Sequence, residues 1–95
     1  MSENKLLIGS LSNDLNRVAN LSQRGSYKAA QRFWEESKRW TTDLKLHENK
    51  PQINNIVNSL LQTNFDPTDL AQAENNLMYS IILQNYTLSL DQETF

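Results

Sequence analysis

The sequence has no cysteine, one histidine, and only two glycines and two prolines among its 95 residues. Because cysteine is absent, the chain cannot form a disulfide, a thiolate metal site or a thiol nucleophile. No apolar run approaches the roughly 18 residues that a membrane-spanning helix requires. The three apolar residues after Lys5 are too few for a signal peptide. We therefore expect a cytoplasmic protein that does not enter a membrane.

Basic residues are also missing from the whole second half of the chain. Residues 1–50 contain all nine lysines and arginines together with six acidic residues, whereas residues 51–95 contain five acidic residues and no basic one. This division suggests that the two halves face each other, within one chain or across a dimer. The alternative explanation is that the uneven charge arose by evolutionary drift in a small protein. The length fits one domain, residues 1–95, with residues 1–6 and 91–95 frayed.

Between the few glycines and prolines, apolar residues recur at helical spacing. This pattern predicts an all-α fold, a small bundle of about four helices built from two αα-hairpins that join near Pro51. Gly25 suits the left-handed position after a helix, Ser26 suits an N-cap, and Asp66 suits another. The apolar pattern of the first helix starts at Leu7, and the regular part of this helix should begin near Ser10 or Ser12. The predicted helices run from Leu7 to about Gln23, from Tyr27 to Leu46, from Pro51 onward, and from Pro67 to about Leu88.

The apolar face of each predicted helix gives a list of expected core residues. In the second helix the face contains Phe33 and Trp40, which are seven residues apart, and Trp34 lies about 100° away at its edge. We therefore expect Phe33 and Trp40 to be buried and Trp34 to look outward. The expected core consists of Leu11, Leu15, Val18, Ala30, Phe33, Trp40, Leu44, Ile56, Val57, Leu60, Leu77 and Ile81.

The segment "GSYKAAQRFWEES", residues 25–37, is similar to the start of the second helix in a tetratricopeptide-type hairpin. Gly25, Tyr27, Ala30, Trp34 and Ser37 stand where that pattern has a glycine, an aromatic, an alanine, an aromatic and a small residue. The similarity covers 13 of the 95 residues. The preceding helix departs from the pattern, and no second copy follows, although such repeats stack on neighbours. The resemblance implies a tight αα-hairpin at Gly25.

The predicted fourth helix is apolar on two opposite sides. One side, the leucine stripe, consists of Leu70, Leu77, Ile81 and Leu88. The other side, the tyrosine stripe, consists of Tyr79, Leu83, Tyr86 and Leu90, and Met78 and Ile82 fill the angle between the stripes. A helix that is hydrophobic on both sides is either central in its bundle or shared with another molecule. Since tyrosine is enriched at interfaces, the candidate interface is Tyr79, Ile82, Leu83, Tyr86 and Leu90, and packing within the chain is the alternative.

The second helix carries a basic edge that could bind a partner. Its candidate residues are Arg24, Lys28, Arg32, Trp34 and Arg39. Basic side chains interleaved with tryptophan are typical of surfaces that track phosphates and stack bases. Acidic residues lie at i,i+4 spacing beside these arginines, and the chain is acidic overall. Both features favour an acidic helix over a nucleic acid as the binding partner of this edge.

Few groups in the sequence could perform catalysis or bind metal. His47 lies near a predicted helix end without a recognisable nucleophile or glycine-rich loop. Asp66 and Asp69 are explained by helix capping. We therefore expect no catalytic, metal or cofactor residues. The expected function is a non-enzymatic protein–protein interaction module of the regulator, adaptor or chaperone type, acting as a homodimer; the alternatives are a nucleic-acid-binding regulator and an enzyme whose site surrounds His47.

Overall fold

A computed structural model describes residues 3–92, with side chains for residues 4–89, and contains four α-helices over that range. The helices are α1, Glu3–Arg24; α2, Tyr27–Lys45; α3, Pro51–Gln62; and α4, Leu70–Gln92. The prediction of an all-α fold with four helices is confirmed. Residues 1–2 and 93–95, where part of the predicted fraying falls, lie outside the described residues.

Helices α1 and α2 form the tight hairpin that Gly25 predicts. Gly25 adopts a left-handed conformation with φ of 83°. Its amide donates to the Ser22 carbonyl at 3.1 Å, and the Ser26 amide donates to the Leu21 carbonyl at 2.9 Å, which closes the end of α1. Ser26 occupies the N-cap position of α2, although its side chain makes no capping hydrogen bond. The turn brings Ala30 into full burial, so the two helices approach closely.

Helix α1 begins earlier than the sequence predicts. It starts at Glu3 and continues through Gly9, so the predicted starts at Ser10 and Ser12 are wrong. Ser12 is buried in mid-helix, where its hydroxyl donates to the Ser80 carbonyl of α4 at 2.7 Å. The added turns bury Leu7 and Ile8. Burial of two large side chains is worth about 3 kcal/mol or more, which exceeds the roughly 1 kcal/mol penalty of a glycine inside a helix.

The helices pack in the spatial order α3, α2, α1, α4. Helix α1 contacts both α2 and α4 along much of its length, and α3 packs on α2. The predicted second hairpin is therefore wrong in its pairing, because α4 crosses back to α1 instead of lying against α3. This return places α4 beside α1 and, among the described residues, leaves the far side of α4 without a neighbouring helix.

Helix α4 also starts later than predicted. Asp66 Oδ1 accepts hydrogen bonds from the Thr68 amide at 3.0 Å and the Thr68 hydroxyl at 2.7 Å, and these bonds lower the pKa of Asp66. They close a turn that precedes the helix. Asp69 is the residue that caps α4, since its Oδ1 accepts from the Ala71 amide at 2.9 Å. The predicted start at Pro67 with Asp66 as the cap is therefore wrong by one turn.

The core lies between α1 and its two neighbours, and α3 closes it beneath α2. Eight of the twelve expected core residues are buried. Phe33 and Trp40 are only partly buried at its margin, and Leu77 is half-buried. Ile81 is exposed, so that prediction is wrong. The large apolar residues of the core are Leu7, Ile8, Leu11, Leu15, Val18, Trp34, Leu44, Ile53, Ile56, Val57, Leu60 and Leu83.

Candidate protein-interaction surface

The inner face of α4 is built mainly from small and polar residues. Ala73, Asn76, Ser80 and Leu83 are buried against α1. Tyr79 and Tyr86 are partly buried and pack on the core at the flanks of this face. The tyrosine stripe therefore faces the interior, and the prediction that Tyr79, Leu83 and Tyr86 form an outward interface is wrong. The side chain of Leu90 lies outside the described residues.

The outer face of α4 carries the leucine stripe. Met78, Ile81 and Leu88 are 49%, 50% and 51% exposed, and Leu70 is more exposed still. Ile82, from the predicted interface, is also exposed, and Leu77 is half-buried. We refer to Leu70, Leu77, Met78, Ile81, Ile82 and Leu88 together as the α4 apolar face. This face runs along most of the helix and points away from α1.

Hydrophobic periodicity cannot distinguish the two sides of α4, because both are apolar. The deciding signal lies in residue size: Ala73 and Ser80 let α4 approach the large leucines of α1. The Ser12 hydroxyl then reaches the Ser80 carbonyl. Burying the leucine stripe instead would place Ala73 and Ser80 in water and widen the contact between helices. Two small residues seven positions apart, Ala73 and Ser80, were therefore the sequence signal for the inner face.

The structure divides the predicted basic edge, because Arg24 ends α1 and the other four residues lie on α2. Arg24, Lys28, Arg32 and Arg39 are exposed, whereas Trp34 is 1% exposed. The Trp34 ring stacks on Phe65 of the α3–α4 connection, with ring centroids 4.7 Å apart and planes 10° from parallel. The prediction that Trp34 looks outward is therefore wrong. Trp34 is therefore not available to stack on a base.

Arginine side chains cover the two partly buried aromatic residues of α2. The Arg17 guanidinium lies 5.3 Å from the Phe33 ring centroid, and the Arg39 guanidinium lies 5.4 Å from that of Trp40. These cation–π contacts are worth about 0.5–1 kcal/mol each at exposed positions. Arg39 is therefore engaged with its own helix, while Arg24, Lys28 and Arg32 remain on the surface.

A buried carboxyl lies where α1 meets α2. Asp14 is 3% exposed, and its Oδ2 accepts a hydrogen bond from Trp40 Nε1 at 2.8 Å. Burial raises the pKa of Asp14 to about 6, against the opposing effect of the Trp40 hydrogen bond. The Glu36 carboxyl raises this pKa further, and Arg17, 3.5 Å away, lowers it. The Asp14 carboxyl therefore links two helices, and its pKa of about 6 lies close to neutral pH.

A polar cleft of about 750 Å³ opens beside His47, between the start of α1 and the α2–α3 connection. Asn4 Nδ2 donates to the Glu48 carbonyl at 3.0 Å and to Asn49 Oδ1 at 2.9 Å. Asn49 Nδ2 donates in turn to the Leu44 carbonyl at 2.8 Å. These amides cap the end of α2 and hold the connection to α1, which gives the polar lining of the cleft a structural role. Within residues 3–92, no three His, Cys, Asp or Glu side chains are grouped so that they could hold a metal ion.

Two ion pairs, Arg17–Asp14 and Lys38–Glu35, lie within the first half of the chain. Lys45 reaches α3 through a hydrogen bond to Asn58 Oδ1 at 2.7 Å, which is a contact to a neutral group.

No protein-family model, curated protein or solved structure matches this chain. Among the described residues, no helix is both long and apolar enough to cross a membrane. The α4 apolar face is the most distinctive surface of the described residues, and the proposed function rests on it.

Proposed function

We propose that this chain is a non-enzymatic protein–protein interaction module of the regulator, adaptor or chaperone type, acting in the cytoplasm, and that its contact surface is the α4 apolar face. The observation that carries the proposal is the exposure of several large apolar side chains along one side of α4. This proposal moves the interface from Tyr79, Leu83 and Tyr86 to the opposite side of the same helix, and it retains Ile82.

Exposed apolar area of this extent favours a partner. Covering apolar surface is worth about 25 cal/mol for each Å² removed from water. Monomeric proteins rarely expose large contiguous apolar patches, and those that do usually use them for binding. Isolated exposed leucines such as Leu46 need no such explanation, because they do not form a patch. On α4 the apolar residues recur at helical spacing and form one stripe.

Removing water from the α4 apolar face also costs little free energy. Between Leu70 and Leu90 the helix contains one charged residue, Glu74. Removing ionised side chains from water costs several kcal/mol for each unpaired charge, so a surface almost free of charge avoids that penalty. The remaining polar residues near the face are amides and hydroxyls, which can hydrogen-bond with a partner or with water at the rim.

A charge placed in the middle of the face tests the proposal. We expect Ile81→Glu to reduce binding of copies or partner proteins by about tenfold or more, because the new carboxylate would have to be buried without a partner. The matched control is Leu61→Glu on α3, since Leu61 is 46% exposed and lies on a helix that packs on α2.

The measurement combines light scattering with quantitative capture from native cell extract. The wild type and both variants are compared after circular dichroism has established equal helix content. Loss with Ile81→Glu alone supports the proposal. Equal capture and equal mass for the wild type and Ile81→Glu would show that the α4 apolar face is not the contact surface.

A further inference from the structure

We infer that the α4 apolar face binds the same face of a second copy, with the two α4 helices antiparallel across a two-fold axis near the Tyr79–Ser80 peptide. This inference rests on the proposed function and names its partner. Two-fold dimers are the commonest homo-oligomers, and their interfaces require a surface that is complementary to itself. The order of residues along α4 meets that requirement.

The apolar positions of α4 are nearly symmetric about the Tyr79–Ser80 peptide. In an antiparallel pair with its axis at this level, Met78 lies beside Ile81 of the second copy near the centre of the contact. Leu77 lies at the level of Ile82 of the second copy, and Leu88 at the level of Ala71 of the second copy, on the two sides of the contact. Large apolar side chains thus meet in the centre. The 23 residues of α4 extend for about 34 Å, which gives room for this register.

The polar residues within the stripe select the antiparallel arrangement. At 100° per residue, Glu74 and Asn85 both lie within about 40° of Ile81, so both fall inside the contact. In the antiparallel register Glu74 of one copy lies opposite Asn85 of the other, and the amide can donate a hydrogen bond to the carboxylate. In a parallel pair Glu74 would lie opposite Glu74, and two like charges would repel each other.

The rim of the contact follows the same symmetry. Asn75 and Gln84 are exposed on opposite margins of the stripe. In the antiparallel register the two Asn75 side chains lie along one rim and the two Gln84 side chains along the other, so both rims carry amides that can donate and accept hydrogen bonds. A strongly charged partner helix would find one counter-charge on this surface, whereas a second copy brings the same nearly uncharged surface. The second copy is therefore the better-matched occupant.

Disulfide cross-linking tests the register, because the chain has no cysteine of its own. We would make Leu70→Cys and Leu88→Cys separately, both at exposed positions on the described helix. In the antiparallel dimer, the two positions 70 are about 28 Å apart along the axis, and the two positions 88 are about 26 Å apart. Position 70 of one copy and position 88 of the other lie within about 2 Å of the same level. Mild oxidation should therefore cross-link the mixture of variants at least about tenfold faster than either variant alone.

Substitution of Asn85 supplies a second test that leaves the apolar contacts intact. Asn85→Lys should strengthen the dimer by about two- to fivefold through a pair with Glu74, and Asn85→Glu should weaken it by a similar factor. Sedimentation equilibrium from micromolar to millimolar concentration measures both. In a parallel dimer Asn85 would face itself, and both substitutions would weaken association, which contradicts the inference.

The outcomes separate this inference from the proposed function. A chain that stays monomeric at millimolar concentration, but whose capture of other proteins still depends on Ile81, overturns the self-pairing and leaves the interaction module standing. Rapid cross-linking of Leu70→Cys alone overturns the antiparallel register. Capture and mass that are both insensitive to Ile81→Glu overturn the proposed function itself.

Discussion

At the scale of single residues, Asp14 shows how a polar group is accommodated at a helix contact. Its carboxyl is buried between α1 and α2, accepts a hydrogen bond from Trp40 and lies beside Arg17. These partners offset part of the cost of burial, but the pKa of Asp14 still rises to about 6. The folded protein therefore holds this proton over a pH range in which the unfolded chain has released it.

The pH dependence of stability follows with a definite sign. A carboxyl whose pKa is about 6 when folded and 3.8 when unfolded favours folding at low pH, and this contribution is lost as pH rises from about 4 to 6. The loss amounts to at most about 3 kcal/mol. Asp14→Asn keeps an acceptor for Trp40 Nε1 without a charge, so we expect the free energy of unfolding of this variant to exceed that of the wild type at pH 7.5 by about 1–3 kcal/mol.

Urea denaturation at pH 4.5 and pH 7.5 measures this effect as a difference between the two proteins. Asp43→Asn, at an exposed position on the same helix as Trp40, serves as the control. Equal pH dependence in the wild type and Asp14→Asn would contradict the prediction.

The two tryptophans of α2 show that helical spacing alone does not determine which of two neighbouring faces is buried. Residues 30, 33, 37, 40 and 44 and residues 30, 34, 37, 41 and 44 both follow helical spacing, so the pattern allows either face. The structure buries the second set, because the α3–α4 connection returns over α2 and places Phe65 on Trp34. A contact between residues so far apart in sequence leaves no local signal. Trp40 instead becomes the hydrogen-bond donor to Asp14.

At the scale of the elements, an aromatic contact holds the α3–α4 connection against α2. Phe65 is partly buried and stacks on Trp34, which lies inside the core. We expect Phe65→Ala to lower the free energy of unfolding by about 2 kcal/mol, since it removes a partly buried ring and uncovers an indole. Phe65→Leu should cost less, because it retains most of the apolar cover.

Denaturant unfolding followed by tryptophan fluorescence measures the Phe65 effect. Red-shifted emission in folded Phe65→Ala would accompany the loss, as Trp34 meets water. Leu46→Ala, at a position 80% exposed, should change stability by less than about 0.5 kcal/mol. Unchanged stability and emission in Phe65→Ala would mean that the stack does not hold the connection.

The helices themselves were largely predictable from the sequence, and their orientations were not. Gly25, Pro51 and the spacing of apolar residues located α1, α2 and α3, because these signals act within one turn of the chain. The sequence also indicated that α4 is apolar on two sides. Hydrophobic spacing alone could not show which side faces α1, since the deciding feature is the small size of Ala73 and Ser80, which fit against another helix. The candidate interface was therefore placed on the side of α4 that the structure buries.

At the scale of the whole molecule, α1 is the central helix. It packs on α2 and α4, while α3 reaches the rest of the protein mainly through α2. The predicted pairing of α3 with α4 failed because the two are joined by a connection long enough for α4 to return to α1. The same arrangement leaves one long side of α4 open. A surface for association thus results directly from the order in which the helices pack.

Because of the helix order and the uneven placement of lysine and arginine, we expect trypsin to cut the chain into two pieces that stay packed together. Trypsin cleaves after basic residues, and none follows Lys50, so α3 and α4 contain no site. The Lys50–Pro51 bond resists trypsin because proline follows the lysine, so the site next to α3 is exposed Lys45, and a nick there leaves α3 on α2 and α4 on α1. We expect the two pieces to co-elute on native size exclusion and to separate only on denaturing electrophoresis, whereas their dissociation under native conditions would contradict this. Co-elution would make the protein a system for fragment complementation, in which each half of the chain is the template for the other.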